Sequence, residues 1–70
     1  MPRTILVVDN DRPTLELYQR ELGREYRVLT CTDELEASAV LDSEEVSAVV
    51  LEPVALGDEG WAHLAAKIVD

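Results

Sequence analysis

Cysteine and aromatic residues are scarce in this chain, which excludes an internal disulfide and a largely aromatic core. Cys31 is the only cysteine, so no disulfide can form within the chain, and a reducing, cytoplasmic compartment is expected. Phenylalanine is absent, and the aromatic residues are one tryptophan and two tyrosines, so the core must be largely aliphatic. The first apolar run is broken at Asp9 and is too short for a signal peptide or a membrane span.

Basic residues are also few. The 70 residues include 15 acidic and 6 basic side chains, which leaves a formal charge of −9. Such a surface repels phosphate backbones and anionic lipid, so we expect neither nucleic acid nor a membrane as a partner. A hydrophobic fraction of 47% is too high for a disordered tail, and the length predicts one small domain over residues 1–70.

Strand and helix patterns alternate three times along the chain. Residues 5–8 and 48–51 are continuous apolar runs, which are typical of strands buried on both faces. Residues 26–31 mix polar and apolar side chains, which favours an edge strand. The order βαβαβα predicts an α/β fold with a parallel sheet, right-handed crossovers and helices on the faces of the sheet.

Capping residues mark the predicted helices. Asn10 or Asp11 can cap the first helix, and Gly23 suits its end. Thr32 or Asp33 starts the second helix, and Asp33 with Glu36 has the spacing of a capping box. A loop over residues 53–60 precedes the third helix. The apolar stripes at helical spacing are Leu15, Tyr18 and Leu22 in the first helix, Ala37, Val40 and Leu41 in the second, and Trp61, Leu64, Ala65 and Ile68 in the third.

Acidic side chains follow the first and third strands. Asp9 ends the first apolar run and Glu52 ends the third. The carboxyl ends of parallel strands that lie side by side meet at one edge of a sheet, so these carboxylates are expected to converge. That arrangement is, in outline, a phosphoryl-transfer site.

These segments resemble the receiver domain of bacterial two-component response regulators. The run ILVVDND at 5–11 is similar to the family's first strand and acidic pair, and VVLEPVALGDEGW at 49–61 is similar to its third strand, acceptor position and following loop. Ala37 falls where the family's second helix commonly has alanine. The resemblance covers the whole chain and the first three of the family's five βα units. It implies a truncated flavodoxin-like fold of three layers with strand order 2-1-3.

The resemblance also implies an altered site. In the family, two adjacent acids and an acceptor aspartate hold one Mg²⁺, and the acceptor carboxylate attacks the phosphoryl donor. Asp9 matches the first acid, while Asn10 replaces the second and Glu52 replaces the acceptor. The implied Mg²⁺ site at Asp9 and Asn10 is weak or vestigial, because one negative charge is lost. The extra methylene of Glu52 moves the nucleophile by about an ångström, which spoils an in-line geometry.

The resemblance therefore implies a module of phosphorelay signalling that is neither an enzyme nor a phosphoacceptor and that acts by protein–protein interaction or dimerisation. Glu52 would be either a mimic of the charged state or the result of drift. Two alternatives stay open: an Mg²⁺-dependent phosphoacceptor with Glu52 as a weak acceptor, and a fragment of a longer response regulator. His63 is expected at the surface or at its boundary, and Cys31 is expected to be buried or half-buried and not a nucleophile.

The strand order predicts where a partner would bind. Order 2-1-3 leaves the third strand at an edge, although its apolar run is typical of a central strand, and such an edge must be covered. Interface residues are then Val49, Leu51, Trp61 and Leu64. A homodimer is favoured, and the alternative is a protein partner that completes the sheet, such as a histidine kinase or another signalling protein.

Overall fold

Within the part of the chain that the structure describes, the sheet has three parallel strands. A computed structural model describes residues 2–52, 60 and 62–67 of the chain. The strands are β1 (Thr4–Val8), β2 (Arg27–Cys31) and β3 (Ala48–Leu51), and their order is β2-β1-β3. Both neighbours pair with β1 in parallel. The α/β class and the strand order are confirmed, and among the described residues β2 lies at an edge of the sheet, as predicted.

The central strand β1 is the most buried element. Leu6, Val7 and Val8 are fully buried. Thr4 is also buried and pairs with Arg27 in the ladder, so the strand begins one residue before its apolar run. A continuous apolar run suits this position, because a central strand covered on both faces has no side facing water.

The first helix, α1 (Arg12–Leu22), begins and ends where the sequence predicts. Asp11 is its N-cap residue, and the Asp11 carbonyl accepts a hydrogen bond from the Leu15 N–H at 3.1 Å. Gly23 is its C-cap residue, with an ordinary φ of −63°. The Tyr26 N–H then donates to the Leu22 carbonyl at 2.9 Å. That bond holds Tyr26 in the turn, so β2 begins at Arg27 and not at residue 26.

The second helix, α2 (Glu34–Ser43), begins with half of the predicted capping box. The Glu36 N–H donates to Asp33 Oδ1 at 2.9 Å, which satisfies one of the four N–H groups that have no partner within the helix. The Glu36 carboxylate does not return a bond to the Asp33 N–H. It accepts from the Thr32 hydroxyl at 3.4 Å.

The described residues form two hydrophobic clusters around β1, because successive side chains of a strand point to opposite faces of the sheet. The first cluster contains Leu6, Val8, Cys31, Ala37 and Leu64, with Leu29, Val40, Leu41, Val46, Val49 and Leu51 packed against it. The second contains Val7, Leu15 and Val28, with Ile5, Tyr18, Leu22, Tyr26 and Val50 packed against it. The predicted stripes of α1 and α2 therefore face the sheet.

Residues 62–67 are helical, and so is Gly60, so the prediction that the loop extends to residue 60 was wrong. Leu64 is 1% exposed and joins these residues to the first cluster. The rest of the predicted loop, residues 53–59, lies outside the described residues, as do Trp61 and Ile68. Among the described residues, no helix has the length and apolarity needed to cross a membrane.

Candidate functional site

The carboxyl ends of β1 and β3 lie next to each other, as the sequence predicts. Val8 pairs with Leu51 in the ladder, and the Glu52 N–H donates to the Val8 carbonyl at 3.0 Å. The backbones of Asp9 and Glu52 therefore leave the sheet at the same edge. Both residues are partly exposed, so their side chains have access to solvent.

The Asp9 carboxylate takes part in the loop before α1. Asp9 Oδ1 accepts a hydrogen bond from the Asp11 N–H at 2.9 Å. Asp11 is exposed and makes no side-chain cap to the helix backbone, and its Oδ2 accepts from the Thr14 hydroxyl instead. Asn10 is exposed between them. The local hydrogen bonds thus hold the loop in shape and leave Asn10 at the surface.

The predicted Mg²⁺ site has two oxygen donors close together in sequence, Asp9 and Asn10. Within the described residues, no three His, Cys, Asp or Glu side chains converge as a metal site, and no buried side-chain nitrogen or oxygen lacks a hydrogen-bond partner. In this part of the chain, therefore, no unpaired buried polar atom points to a bound ligand. Magnesium binding at Asp9 and Asn10 stays a prediction.

Cys31 lies at the carboxyl end of β2, beside this loop. Its carbonyl accepts from the Asp9 N–H at 3.1 Å, while its side chain is 3% exposed in the first hydrophobic cluster. Burial raises the pKa of the Cys31 thiol, and the nearby carboxylates of Glu36 and Asp33 raise it further. The predicted burial of Cys31 is confirmed, and a buried thiol held in its neutral form is a poor nucleophile.

Two polar contacts join residues 62–67 to α2. His63 is exposed, as predicted, and its Nδ1 contacts Glu34 Oε1. Lys67 Nζ lies 2.6 Å from Asp42 Oδ1. These contacts were not predicted, although a signal was present: His63 and Lys67 are four residues apart, and α2 has acidic but no basic side chains.

The predicted interface residues occupy different environments. Val49 and Leu51 are half-buried on the edge strand β3 and pack against the first cluster. Leu64 is almost completely buried between the helix and the sheet, so the folded chain does not present it to a partner. Trp61 lies outside the described residues. An interface at this edge would thus use Val49 and Leu51 but not Leu64.

Comparison of the chain with protein-family models, with curated proteins and with solved structures finds no match. The likeness to receivers therefore rests on the sequence motifs around Asp9 and Glu52. The strand order β2-β1-β3 is compatible with a flavodoxin-like fold.

Proposed function

We propose that the chain is a receiver-like signalling module that does not accept a phosphoryl group and that acts through protein–protein contacts. One observation carries the proposal. Glu52 follows β3 at the edge of the sheet where Asp9 follows β1, and its N–H donates to the Val8 carbonyl at 3.0 Å. This adjacency supports the alignment with the receiver motif, in which Glu52 stands at the position of the acceptor aspartate.

The chemistry of the three aligned residues favours a non-phosphorylated module. Asp9 and Glu52 supply carboxylates, but Asn10 supplies a neutral amide, so the site has less negative charge to attract Mg²⁺ than two adjacent acids and an acceptor would have. The longer side chain of Glu52 displaces its nucleophilic oxygen relative to an aspartate. Phosphoryl transfer depends on positioning and on electrostatic stabilisation, so both changes lower the reactivity of the site.

The finer fold that we propose has three layers, and it corresponds to the first three βα units of the flavodoxin-like receiver fold. The two hydrophobic clusters support it. Leu15 of α1 packs with Val7, whereas Ala37 of α2 and Leu64 pack with Leu6 and Val8. The Val7 side chain lies on the opposite face of the sheet from those of Leu6 and Val8. These contacts therefore favour α1 on one face and the other helices on the opposite face.

The contact surface of the proposed module is the edge of β3. Within the described part of the chain, β3 pairs with β1 and with no other strand. An edge strand presents unpaired backbone groups to a partner. Val49 and Leu51 would supply apolar contact area at that edge, and the partner would be either a second copy or another signalling protein such as a histidine kinase.

Phosphorylation can be tested with acetyl phosphate and Mg²⁺, with intact-protein mass as the readout. We expect no phosphoryl mass on the natural chain. The matched variant is the double substitution Asn10→Asp with Glu52→Asp, which restores the acidic pair and the acceptor. We expect this variant to bind Mg²⁺ more tightly in calorimetry and to gain one phosphoryl group.

Two results would contradict the proposal. A phosphoryl group on the natural chain that disappears in Glu52→Gln would show an Mg²⁺-dependent phosphoacceptor, the alternative function. A double variant that neither binds Mg²⁺ more tightly nor gains a phosphoryl group would argue against a receiver-type site at this edge of the sheet.

A further inference from the structure

Two leucines are exposed among the described residues, one on each of the helices α1 and α2. Leu17 on α1 is 49% exposed and Leu35 on α2 is 78% exposed. A single exposed leucine is common, so the charges around each one decide what its surface can bind. α1 carries two basic and two acidic side chains, whereas α2 carries three acidic side chains and no basic one. A second copy of this acidic chain therefore meets less repulsion at α1 than at α2.

The neutral part of the chain extends beyond α1. Residues 1–27 contain five acidic and five basic side chains, whereas residues 28–70 contain ten acidic and one basic, and so carry the entire formal charge of −9. In the three-layer arrangement proposed above, α2 lies on the opposite face of the sheet from α1. A contact through α1 is then more than one helix diameter, about 10 Å, from α2. That separation exceeds the Debye length of about 8 Å at physiological ionic strength, so the repulsion between the two α2 helices is largely screened.

One stripe of α1 faces away from the sheet. Leu15 and Tyr18 pack in the second hydrophobic cluster on the inner side of the helix. A spacing of three and four residues places four other residues together on the outer side, where they line a shallow depression: Pro13, Glu16, Leu17 and Arg20. This outer stripe combines an apolar centre with one acidic and one basic side chain.

The two charges of the outer stripe are open to a partner. Glu16 forms no ion pair with any other described residue. Arg20 Nε lies 3.6 Å from Glu21 Oε1, and the two side chains are 71% and 62% exposed. An exposed contact of this kind contributes little to stability. Glu16 and Arg20 can therefore turn to a partner at small cost.

Antiparallel pairing of two outer stripes makes their charges complementary. When a two-fold axis passes beside Leu17, the Leu17 side chains of the two copies meet. Glu16 precedes Leu17 by one residue and Arg20 follows it by three. With a rise of about 1.5 Å per residue, Glu16 and Arg20 of the second copy lie about 3 Å apart along the helix. Side chains tilt toward the N-terminus of their own helix, which brings each Glu16 closer to Arg20 of the other copy and separates the two glutamates.

We infer that the outer stripe of α1 is the interface of a weak, symmetric dimer of this chain. Leu17 packs on Leu17 at the axis, and Glu16 pairs with Arg20 of the second copy on either side of it. α1 has 11 residues and is about 16 Å long, so the contact is smaller than about 1,200 Å², in the range of transient interfaces. The inference goes beyond the proposed function, because it adds a contact surface away from the β3 edge and uses no chemistry at Asp9 or Glu52.

Sedimentation equilibrium of the full chain over a range of concentrations tests this inference. We expect the average mass of the natural chain to rise with concentration toward twice the mass of one chain. Glu16→Arg and Arg20→Glu each place like charges opposite each other at two symmetric positions, so each should weaken the dimer about ten-fold. The double variant Glu16→Arg with Arg20→Glu keeps the natural net charge and restores complementarity, so its affinity should lie within about three-fold of the natural value. An equimolar mixture of the two single variants should form a mixed dimer.

Matched substitutions at other exposed positions locate the interface. Leu17→Lys buries a charge at the axis and should abolish the dimer, whereas Leu35→Lys makes the same change on α2 and should not weaken it. Glu45→Arg makes the same charge change as Glu16→Arg at an exposed position just before β3, and it should not weaken the dimer either. Circular dichroism of every variant verifies that it folds.

Three results would overturn the inference: a natural chain that stays monomeric at every concentration, a dimer that survives Leu17→Lys, or a double variant that dimerises as weakly as the single variants. A dimer that is weakened by Glu45→Arg but not by Leu17→Lys would also overturn it, in favour of a second copy at the β3 edge. None of these results depends on phosphorylation. Failure of the dimer assay is therefore distinguishable from failure of the acetyl phosphate assay.

Discussion

Replacing Leu64 by alanine is expected to destabilise the chain strongly. Leu64 is 1% exposed and lies in the cluster with Leu6, Val8 and Ala37. Truncation of a fully buried leucine removes its transfer free energy and leaves a cavity, and such changes cost about 2–5 kcal/mol in the free energy of unfolding. The residues around Leu64 come from β1 and α2, so the cavity would open between the sheet and two helices.

That cost is large for a chain of this size. Natural domains have about 0.05–0.15 kcal/mol of stability per residue, which gives roughly 4–10 kcal/mol for 70 residues. Leu64→Ala should therefore remove a large share of the total. In a domain of this length each kcal/mol shifts the melting temperature by about 4–8 °C, so we expect a fall of at least about 8 °C. Urea and thermal unfolding followed by circular dichroism measure both quantities.

Leu35 provides a matched control for this substitution. It lies on α2 and is 78% exposed, so Leu35→Ala should change the free energy of unfolding by less than about 0.5 kcal/mol. Leu64→Met, which nearly conserves volume, should cost less than about 1.5 kcal/mol and keeps the comparison measurable if Leu64→Ala unfolds. If Leu64→Ala costs no more than Leu35→Ala, the helical residues 62–67 do not pack on the sheet as described.

Two further predictions concern α2 and Cys31. Asp33→Ala removes the acceptor for the Glu36 N–H and should lower the free energy of unfolding, measured in urea, by about 1 kcal/mol. Asp33→Ser should retain most of the cap. Equal costs for the two variants would contradict the capping role. Burial raises the pKa of the Cys31 thiol in the folded chain, and the carboxylates of Glu36 and Asp33 raise it further. The stability that the neutral thiol contributes is therefore complete below its pKa in the unfolded chain, about 8.5. That contribution is lost as the pH rises through the folded pKa. The difference in urea midpoint between the natural chain and Cys31→Ala should therefore shrink above about pH 8.5, and rapid labelling of the native thiol at pH 7 would refute its burial.

Part of the candidate site could be predicted from the sequence. A parallel sheet of order 2-1-3 brings the ends of β1 and β3 together, so the adjacency of Asp9 and Glu52 in the backbone follows from the alternation of elements and from the resemblance. The hydrogen bond from the Asp11 N–H to Asp9 Oδ1 did not follow, because a short loop offers several conformations with the same residues. A groove beside β3 was not predicted either, since its lining comes from α2, the connection that follows α2, β3 and Lys67.

The sequence by itself determined where the helices and strands form. Continuous apolar runs predicted β1 and β3, and the start of α2 was predicted at Thr32 or Asp33, because capping and amphipathic periodicity depend on residues within a few positions of each other. The observed starts of β1 and β2 each differ from the predicted start by one residue. Thr4 is buried and joins β1, whereas the turn after α1 holds the backbone of Tyr26 outside β2.

Only the tertiary structure decided which side chains meet across elements. Helical spacing placed Leu64 on an apolar stripe, but it did not distinguish a stripe that packs on the sheet from one that is open to a partner. The contacts of His63 with Glu34 and of Lys67 with Asp42 likewise depend on how residues 62–67 lie against α2. The physical reason is that periodicity specifies a shared face within one element, whereas burial and ion pairing depend on the element that packs against that face.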